Sequence, residues 1–337
     1  MARHLALMRA LVLILLAHDH LVWAADPEST RAALSAPDSS GDDAMRACEQ
    51  QWHNAVRLFP NASADKYPNF RGDDALTGAA TAVLFVHVGK TCGTTVGASL
   101  VRNKASIKAA YNGYTPLVQV HVHPVRPDVI AAAENVLVAV RDPVDRLVSA
   151  YNTVACGFGF GFDEVDAAVC SRNAIPDKHD TSINGSQFTI DGWFTLTNQL
   201  KSLMRCYPNV TAFADGLDDD SECGRVAREA IGVNMAAVEA ATAHIGKGVC
   251  FYLGGLLKSL EGKRVHLVNT ESCDADVADI PKWLGLESFE RVESRHTGGF
   301  PHHDDQPSNE GRGRLRRHLA HEYWLQEELA RLNLLLP

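Results

Sequence analysis

Short apolar runs alternate with segments of helical pattern through the middle of this chain. Residues 82–88 are apolar except for His87 and rich in β-branched side chains, which is typical of a buried parallel strand. Similar runs recur downstream, and their alternation with helical segments predicts an α/β fold with a parallel sheet flanked by helices. The predicted strands are 82–88, 117–122, 136–140 and 265–268, and the predicted helices are 94–102, 127–134 and one that begins at 143.

The pattern changes outside this region. Residues 26–78 are rich in Ala, Ser, Asp and Pro and are interpreted as a stem with one helix near 44–58, whereas 79–337 is the predicted folded domain. The glycine-rich segment 156–170 is interpreted as a loop. Further helices are predicted at 192–203 and 225–243, with a long amphipathic helix at 314–335.

The first 25 residues have the features of a secretory leader. Their uninterrupted apolar run covers only residues 10–17, whereas a membrane span needs about 20 residues. A cleaved signal peptide and a short Golgi-type membrane anchor both fit this segment. Three glycosylation sequons, at Asn61, Asn184 and Asn209, also favour the secretory route.

The cysteine content points to the same compartment. An even count of 8 cysteines suits an oxidising environment. Two local pairs, Cys156 with Cys170 and Cys206 with Cys223, would each close a short loop, and scattered buried thiols are the alternative.

Net charge restricts the classes of ligand. The chain has 32 Lys and Arg against 41 Asp and Glu, a formal net charge of −9. Because nucleic-acid binding needs a basic face, we expect no DNA or RNA partner. Any anionic ligand must then be held by a few well-placed cations.

Several side chains that could bind a ligand or catalyse a reaction lie at the ends of the predicted strands. The first strand leads into a Gly-Lys-Thr loop at 89–91, the second ends at His121 and His123, and the third ends at Arg141. Because ligands of open α/β sheets bind outside the carboxyl ends of the strands, these residues should share one crevice.

The loop after the first strand has the composition of a phosphate or sulfate site. Glycines let backbone N–H groups approach an anion, a lysine adds charge, threonines add hydroxyl donors, and a helix N-terminus follows. The residues are Gly89, Lys90, Thr91, Gly93, Thr94 and Thr95. A tight turn with an incidental lysine is the alternative. The nucleotide-triphosphatase signature fails because Leu84 stands where its first glycine should be, although a P-loop kinase stays as a second hypothesis.

Two segments together resemble a known family. Residues 85–95 (FVHVGKTCGTT) resemble the 5′-phosphosulfate loop of Golgi carbohydrate sulfotransferases, H-x-P-K-T-G-G-T-T, and 140–152 (VRDPVDRLVSAYN) resemble their 3′-phosphate motif, R-D-P-x-x-R-x-x-S-x-Y. His-Val-His at 121–123 is similar to the H-x-H element of heparan sulfate 2-O-sulfotransferases. Segments 198–200 and 295–299 are weaker matches. Two departures are Gly89 for the usual proline and Cys92 for the usual glycine.

The resemblance implies the sulfotransferase fold, a P-loop-like parallel sheet flanked by helices, and 3′-phosphoadenosine 5′-phosphosulfate (PAPS) as donor. The loop residues Gly89, Lys90, Thr91, Gly93, Thr94 and Thr95 would hold the 5′-phosphosulfate, and Arg141 with Ser149 would clamp the 3′-phosphate. Lys90 would also neutralise the departing oxygen. His123 is the expected general base, with His121 as its support or alternative. No metal is expected.

The expected activity is sulfuryl transfer to a hydroxyl of a glycan in the Golgi lumen. A catalytically inactive glycan-binding protein of the same fold is the third hypothesis. Cys92 is interpreted as a small loop filler, and the His-His-Asp-Asp segment at 302–305 as a solvated loop. A basic patch at 312–317 is either an anionic-polysaccharide surface or a solvated helix face.

Overall fold

The computed structural model describes residues 41–58, 80–121, 123–157, 198–231, 244–292 and 306–334, which all lie in one compact unit, Ser39–Pro337. Four parallel strands form one sheet in the order β2-β1-β3-β4. They are β1 (Thr81–His87), β2 (Thr115–Val120), β3 (Ala133–Val140) and β4 (Arg264–Asn269). The predicted class, an α/β protein with a parallel sheet flanked by helices, is confirmed.

The helices, in chain order, are α1 (Gly41–Leu58), α2 (Gly93–Arg102), α3 (Lys104–Ala110), α4 (Pro127–Ala132), α5 (Pro143–Gly157), α6 (Asn198–Cys206), α7 (Val210–Asp215), α8 (Glu222–Ala230), α9 (Val249–Leu253), α10 (Leu257–Leu260), α11 (Cys273–Leu284), α12 (Asn309–His318) and α13 (Ala320–Leu334). None of these described helices combines the length and the apolar run that a membrane span requires.

Side-chain alternation along β1 divides the core between the two faces of the sheet. Val83 and Phe85 pack with α2, α3 and α11, whereas Leu84 and Val86 pack with α1, α4, α9 and α13. Every residue of β1 is buried. Because both faces are covered, the strand can be apolar almost throughout, as its sequence predicts.

A separate hydrophobic cluster joins α5 to α6, α7, α8 and α12. The hydroxyl of Tyr151 on α5 donates to the carbonyl of Tyr207 at 2.6 Å. The predicted Cys206–Cys223 disulfide is present in this cluster and ties α6 to α8.

Helix α1, in the segment interpreted as a stem, packs into the main core. Cys48, Trp52 and Ala55 are buried there, and the Trp52 indole N–H donates to the carbonyl of Val125 at 3.1 Å. A disulfide joins Cys48 to Cys250 on α9. The three disulfides of the described residues indicate an oxidising, secreted-type environment.

Several expectations need correction. Cys92 is not a loop filler, because it forms a disulfide with Cys273 at the start of α11. The predicted C-terminal helix is two helices, α12 and α13, which are separated at Leu319. Helix α4 ends at Ala132, and β3 begins immediately afterwards instead of at 136.

Other expectations lie outside the described residues. These are the leader, most of the predicted stem, the loop at 158–170 with the Cys156–Cys170 pair, and the segments 295–299 and 302–305. Residues 232–243 of the predicted helix at 225–243 also lie outside, and α8 covers 222–230.

Candidate anion-binding and transfer site

The strand order places the candidate site at the topological switch point of the sheet. From β1, the chain continues to β2 on one side and later to β3 on the other, so the crevice lies between the carboxyl ends of β1 and β3. The loop 88–92 follows β1, and Arg141 follows β3. Arg141 Nη1 donates to the carbonyl oxygen of Lys90 at 3.4 Å. The two motifs that were predicted separately therefore touch.

The loop after β1 has an unusual backbone. Lys90 adopts a left-handed conformation with φ of 66°, which is uncommon for a residue other than glycine. The hydroxyl of Thr91 donates to the carbonyl of Val88 at 2.7 Å and closes the loop, so its proton is already engaged. Cys92 is the residue before α2, and its disulfide with Cys273 ties the loop to α11. Covalent and hydrogen-bonding contacts thus hold the loop in one shape.

Three buried polar atoms around this loop have no hydrogen-bond partner among the described residues. They are Thr95 Oγ1 on α2, Arg141 Nε and His244 Nδ1. Glu271 forms an ion pair with Arg141, but its carboxylate oxygen is 3.9 Å from Nε. Since buried polar atoms in folded proteins are nearly always bonded, these atoms indicate a site built for a polar ligand. The N-terminus of α2 adds a partial positive charge, and an anion fits this donor set.

Two glycines of the loop are required by close packing against imidazole rings. A Cβ atom on Gly89 would lie 2.1 Å from His244 Nδ1, and one on Gly93 would lie 1.9 Å from His87 Cδ2. Glycine at position 89 therefore has a physical reason, because the ring of His244 occupies the space of a side chain there.

Three imidazoles form a row beside the loop. The rings of His87 and His121 stack with centroids 3.9 Å apart, and His244 lies 5.0 Å beyond His121. His121 Nδ1 donates to the carbonyl of His87 at 2.8 Å. Because a carbonyl only accepts, the proton of neutral His121 is on Nδ1 and the lone pair is on Nε2. The Gln119 amide donates to His87 Nδ1 at 3.3 Å.

Burial keeps this row neutral near pH 7. It lowers the pKa of His121 to about 4, with Lys247 and Lys90 also lowering it against the opposing hydrogen bond to His87. Burial likewise holds the pKa of His87 and of His244 well below the ordinary range, and His121 lowers both further.

His123 lies in a different electrostatic setting. It is buried, and its Nδ1 donates to the carbonyl of Pro124 at 3.0 Å. Burial lowers its pKa, and the charges that lower it further are Lys247 and Arg126, whereas Lys90 acts on His121. His121, whose ring stacks on His87 beside the loop 88–92 (called the anion loop below), is the histidine on which Lys90 acts. In the neutral form of both histidines the basic lone pair is on Nε2.

The remaining predicted residues occupy varied positions. Thr94 is exposed on the first turn of α2, Thr95 is fully buried, and Ser149 is half-buried on α5, two turns along from Arg141. The pKa of Lys90 is lowered by burial and then by Arg141. Among the described residues, no group of three or more His, Cys, Asp or Glu is placed to hold a metal ion.

Sequence reasoning missed His244 and Lys247. Lys247 is buried, its ammonium lies 5.4 Å from the centre of the Phe251 ring, and burial lowers its pKa to about 8. Neither residue belongs to a recognisable motif or to a predicted strand end. Only their position in the folded chain could have identified them.

A groove of about 590 Å³ opens on the β2 side of the loop. It is lined by His87 and Gln119 from the sheet, by the exposed side of α2 around Thr94 and Ala98, and by Val292. The volume lies within the range of about 300–1,000 Å³ that is usual for small-molecule sites.

The basic patch on α12 is matched by acidic side chains. Arg312 pairs with Asp145, Arg317 with Asp218, and Arg314 with Asp215. These pairs offset part of the positive charge of the patch.

No protein-family model matches this chain, and no curated protein or solved structure matches it significantly. Its function is therefore inferred from the geometry of the site and from the motif resemblance.

Proposed function

We propose that this protein is a sulfotransferase with the sulfotransferase fold, which moves a sulfuryl group from PAPS to a hydroxyl of a carbohydrate acceptor. The main support for the proposal is the contact between two separate phosphate-type motifs. The loop at 89–95 and the Arg141 motif meet across one switch point, where Arg141 Nη1 donates to the carbonyl of Lys90.

The donor would lie across the crevice between β1 and β3. The backbone of the loop, Lys90 and the hydroxyl of Thr95 would hold its 5′-phosphosulfate. Arg141, together with Ser149 on the following helix, would hold its 3′-phosphate. Charge-assisted hydrogen bonds of this kind are the strong ones in proteins, which suits a chain whose bulk charge is acidic.

In the proposed reaction, the acceptor oxygen attacks sulfur and forms a new S–O bond. The bond from sulfur to the bridging oxygen of the 5′-phosphate breaks, and its electron pair leaves with 3′-phosphoadenosine 5′-phosphate (PAP). The acceptor proton passes to Nε2 of a neutral histidine, His123 or His121. Positioning and charge stabilisation supply the rate, as in phosphoryl transfer, and Lys90 neutralises the leaving oxygen.

The groove on the β2 side would receive the acceptor. Arg141 directs the 3′-phosphate to the β3 side, so the opposite side of the loop remains for the group that attacks. The groove includes His87 and Thr94 at the loop, and His121 stacks on His87. An acceptor hydroxyl in this groove would lie next to the row of neutral imidazoles.

We further propose a Golgi-lumenal location, supported by the three disulfides and by the leader and sequons of the chain. The acceptor glycan and the nucleotide donor are the proposed partners, and the N-terminal segment is the proposed point of membrane attachment.

Calorimetric titration of the protein with PAP in EDTA tests the proposal. We expect metal-free binding in the micromolar range. Loss of one charge-assisted contact costs about 1.5–3 kcal/mol, so Arg141→Ala should weaken PAP binding about 10- to 100-fold. Lys90→Ala should act similarly. Arg331→Ala, an exposed arginine on α13, is the matched control and should leave binding unchanged.

The other outcomes separate the rival hypotheses. Binding of ATP only with Mg²⁺, and not of PAP, would support a P-loop kinase. Binding of PAP without sulfation of any member of a glycan panel would support an inactive glycan-binding protein. Failure to bind either nucleotide would overturn the proposed donor site.

A further inference from the structure

The second arginine of the R-D-P-x-x-R motif bonds a turn of the chain at 244–247. Arg146 on α5 is buried, and its guanidinium donates from Nη1 to the carbonyl of His244 at 2.6 Å and from Nη2 to the carbonyl of Ile245 at 3.0 Å. Both bonds go to consecutive backbone carbonyls of one turn, 244–247. The planar fork of arginine suits such a two-point contact, which lysine cannot reproduce.

Other elements hold this turn and the start of α9, which follows it. On α1, Gln51 Nε2 donates to the carbonyl of Gly246 at 3.0 Å. On α13, the carboxylate of Glu322 accepts from the backbone N–H of Cys250 at 3.2 Å. A Cβ on Gly248 would lie 2.1 Å from a Glu322 oxygen, so glycine is needed for this approach. The disulfide from Cys48 also ends at Cys250.

The turn carries the two site residues that the sequence did not reveal. His244 has φ of 78°, and its ring packs against Gly89 of the anion loop. Lys247, three residues later, exerts its charge on His121, His123 and His244. A shift of the turn would therefore move a ring that supports the loop and a cation that acts on both candidate bases.

We propose that Arg146 is a positioning residue, which fixes the turn 244–247 against the anion loop and the two candidate bases, and that it is not a ligand of the donor. Its fork adds to the turn's own backbone bond, in which the Lys247 N–H donates to the carbonyl of His244 at 3.3 Å, and it also bonds the next carbonyl, that of Ile245. Glu322 is the main opposite charge acting on the buried Arg146 guanidinium.

The charged and titratable groups that face the two histidines come from several elements. Around His121 these are His87 at the end of β1, Lys90 in the anion loop, and His244 and Lys247 in the turn. Around His123 they are Lys247 and Arg126. Lys247 is common to both sets. Moving the turn away should therefore raise the pKa of both imidazoles.

The test compares Arg146→Lys with the unchanged protein by two measurements. Imidazole pKa values of His121 and His123 are followed by NMR on protein with ¹³C-labelled histidine, assigned with His121→Gln and His123→Gln. PAP affinity is followed by calorimetry. We expect both pKa values to rise by roughly 0.5 or more, since a nearby like charge is removed. PAP affinity should fall by less than tenfold, because the turn only supports the loop, whereas Arg141→Ala loses about 10- to 100-fold.

Gln51→Leu is the second variant and guards against a folding defect on α5. It loosens the same turn from α1, far along the chain from the R-D-P motif, and should raise the same two pKa values. Unchanged histidine pKa values in both folded variants would overturn the inference. A tenfold or greater loss of PAP affinity in Arg146→Lys, absent in Gln51→Leu, would make Arg146 a donor ligand and would also overturn it.

The assignment of His121 and His123 as candidate bases rests on the proposed function. The role of Arg146 and the proposed function are nevertheless tested separately. Failure of the unchanged protein to bind PAP counts against the sulfotransferase. The NMR comparison still shows whether Arg146 positions the turn.

Discussion

Replacement of Gly89 by alanine tests the packing between the anion loop and the row of imidazoles. A Cβ at this position would lie 2.1, 2.4 and 2.7 Å from three atoms of the His244 ring. Ordinary contact is about 3.5 Å, so the ring or the loop must move by about 1.4 Å. The His244 ring is packed against Gly89 and its carbonyl accepts from Arg146, so neither side moves freely.

The expected cost follows from this geometry. Overpacking a filled site costs about 1–3 kcal/mol, and the stiffer unfolded chain returns about 0.4–1 kcal/mol. We therefore expect Gly89→Ala to lower the free energy of unfolding by about 1–2 kcal/mol, as measured by urea denaturation. PAP affinity should fall as well, because the displaced backbone belongs to the proposed phosphosulfate loop.

A double-mutant cycle makes the prediction specific. With His244→Ala the ring is gone, and Gly89→Ala should then cost little, giving a coupling energy of about 1–2 kcal/mol. Gly313→Ala on α12 is the control, because a Cβ there meets nothing within 4 Å and alanine favours the helix. An equal loss of stability from Gly89→Ala in both backgrounds would show that the His244 ring is not the cause of the cost.

Further predictions concern the groove, the base and the effect of pH. Ala98→Phe should fill the groove and reduce glycan sulfation at least about tenfold with PAP affinity within about threefold; a loss of PAP affinity would instead place the nucleoside there. His123→Ala should lower turnover by roughly 10²–10⁴ while PAP binding persists, and if His121→Ala does this instead, the two roles are exchanged. His121 and His321 have a pKa of about 4 when folded and an ordinary value of 6.5. Between pH 4 and pH 6.5 these two histidines bind more protons in the unfolded chain than in the folded one. Their contribution to the free energy of unfolding is therefore complete above about pH 6.5 and declines as the pH falls toward 4, by up to about 1.4 kcal/mol per pH unit for each histidine. Urea melts at pH 7 and 5.5 that give equal free energies would contradict this.

The pattern of apolar and polar residues predicted secondary structure correctly where it repeats with a simple period. The strands of the parallel sheet are nearly continuous apolar runs because both of their faces are buried. The carboxyl ends of parallel strands share one edge, so Lys90, His121 and Arg141 could be grouped from their places at the ends of predicted strands. The contact from Arg141 to the Lys90 carbonyl agrees with that grouping.

Boundaries and pairings were less predictable. Helix α4 passes into β3 without a loop, and a side-chain pattern cannot show where one ends. The Cys206–Cys223 disulfide spans only 17 residues and could be predicted from its loop. Cys92–Cys273 spans 181 residues, and nothing local to Cys92 identifies its partner.

Local sequence was sufficient for the α/β class, for the places along the chain of the strands that carry chemistry and for the composition of the anion loop, because each depends on a short period or on residues adjacent to a strand end. The rest of the site depends on tertiary packing. His244 and Lys247 reach it on a turn that has no pattern of its own and is held by Gln51 and Arg146 from two distant helices. Such long-range contacts depend on how the helices pack around the sheet, which no local period encodes.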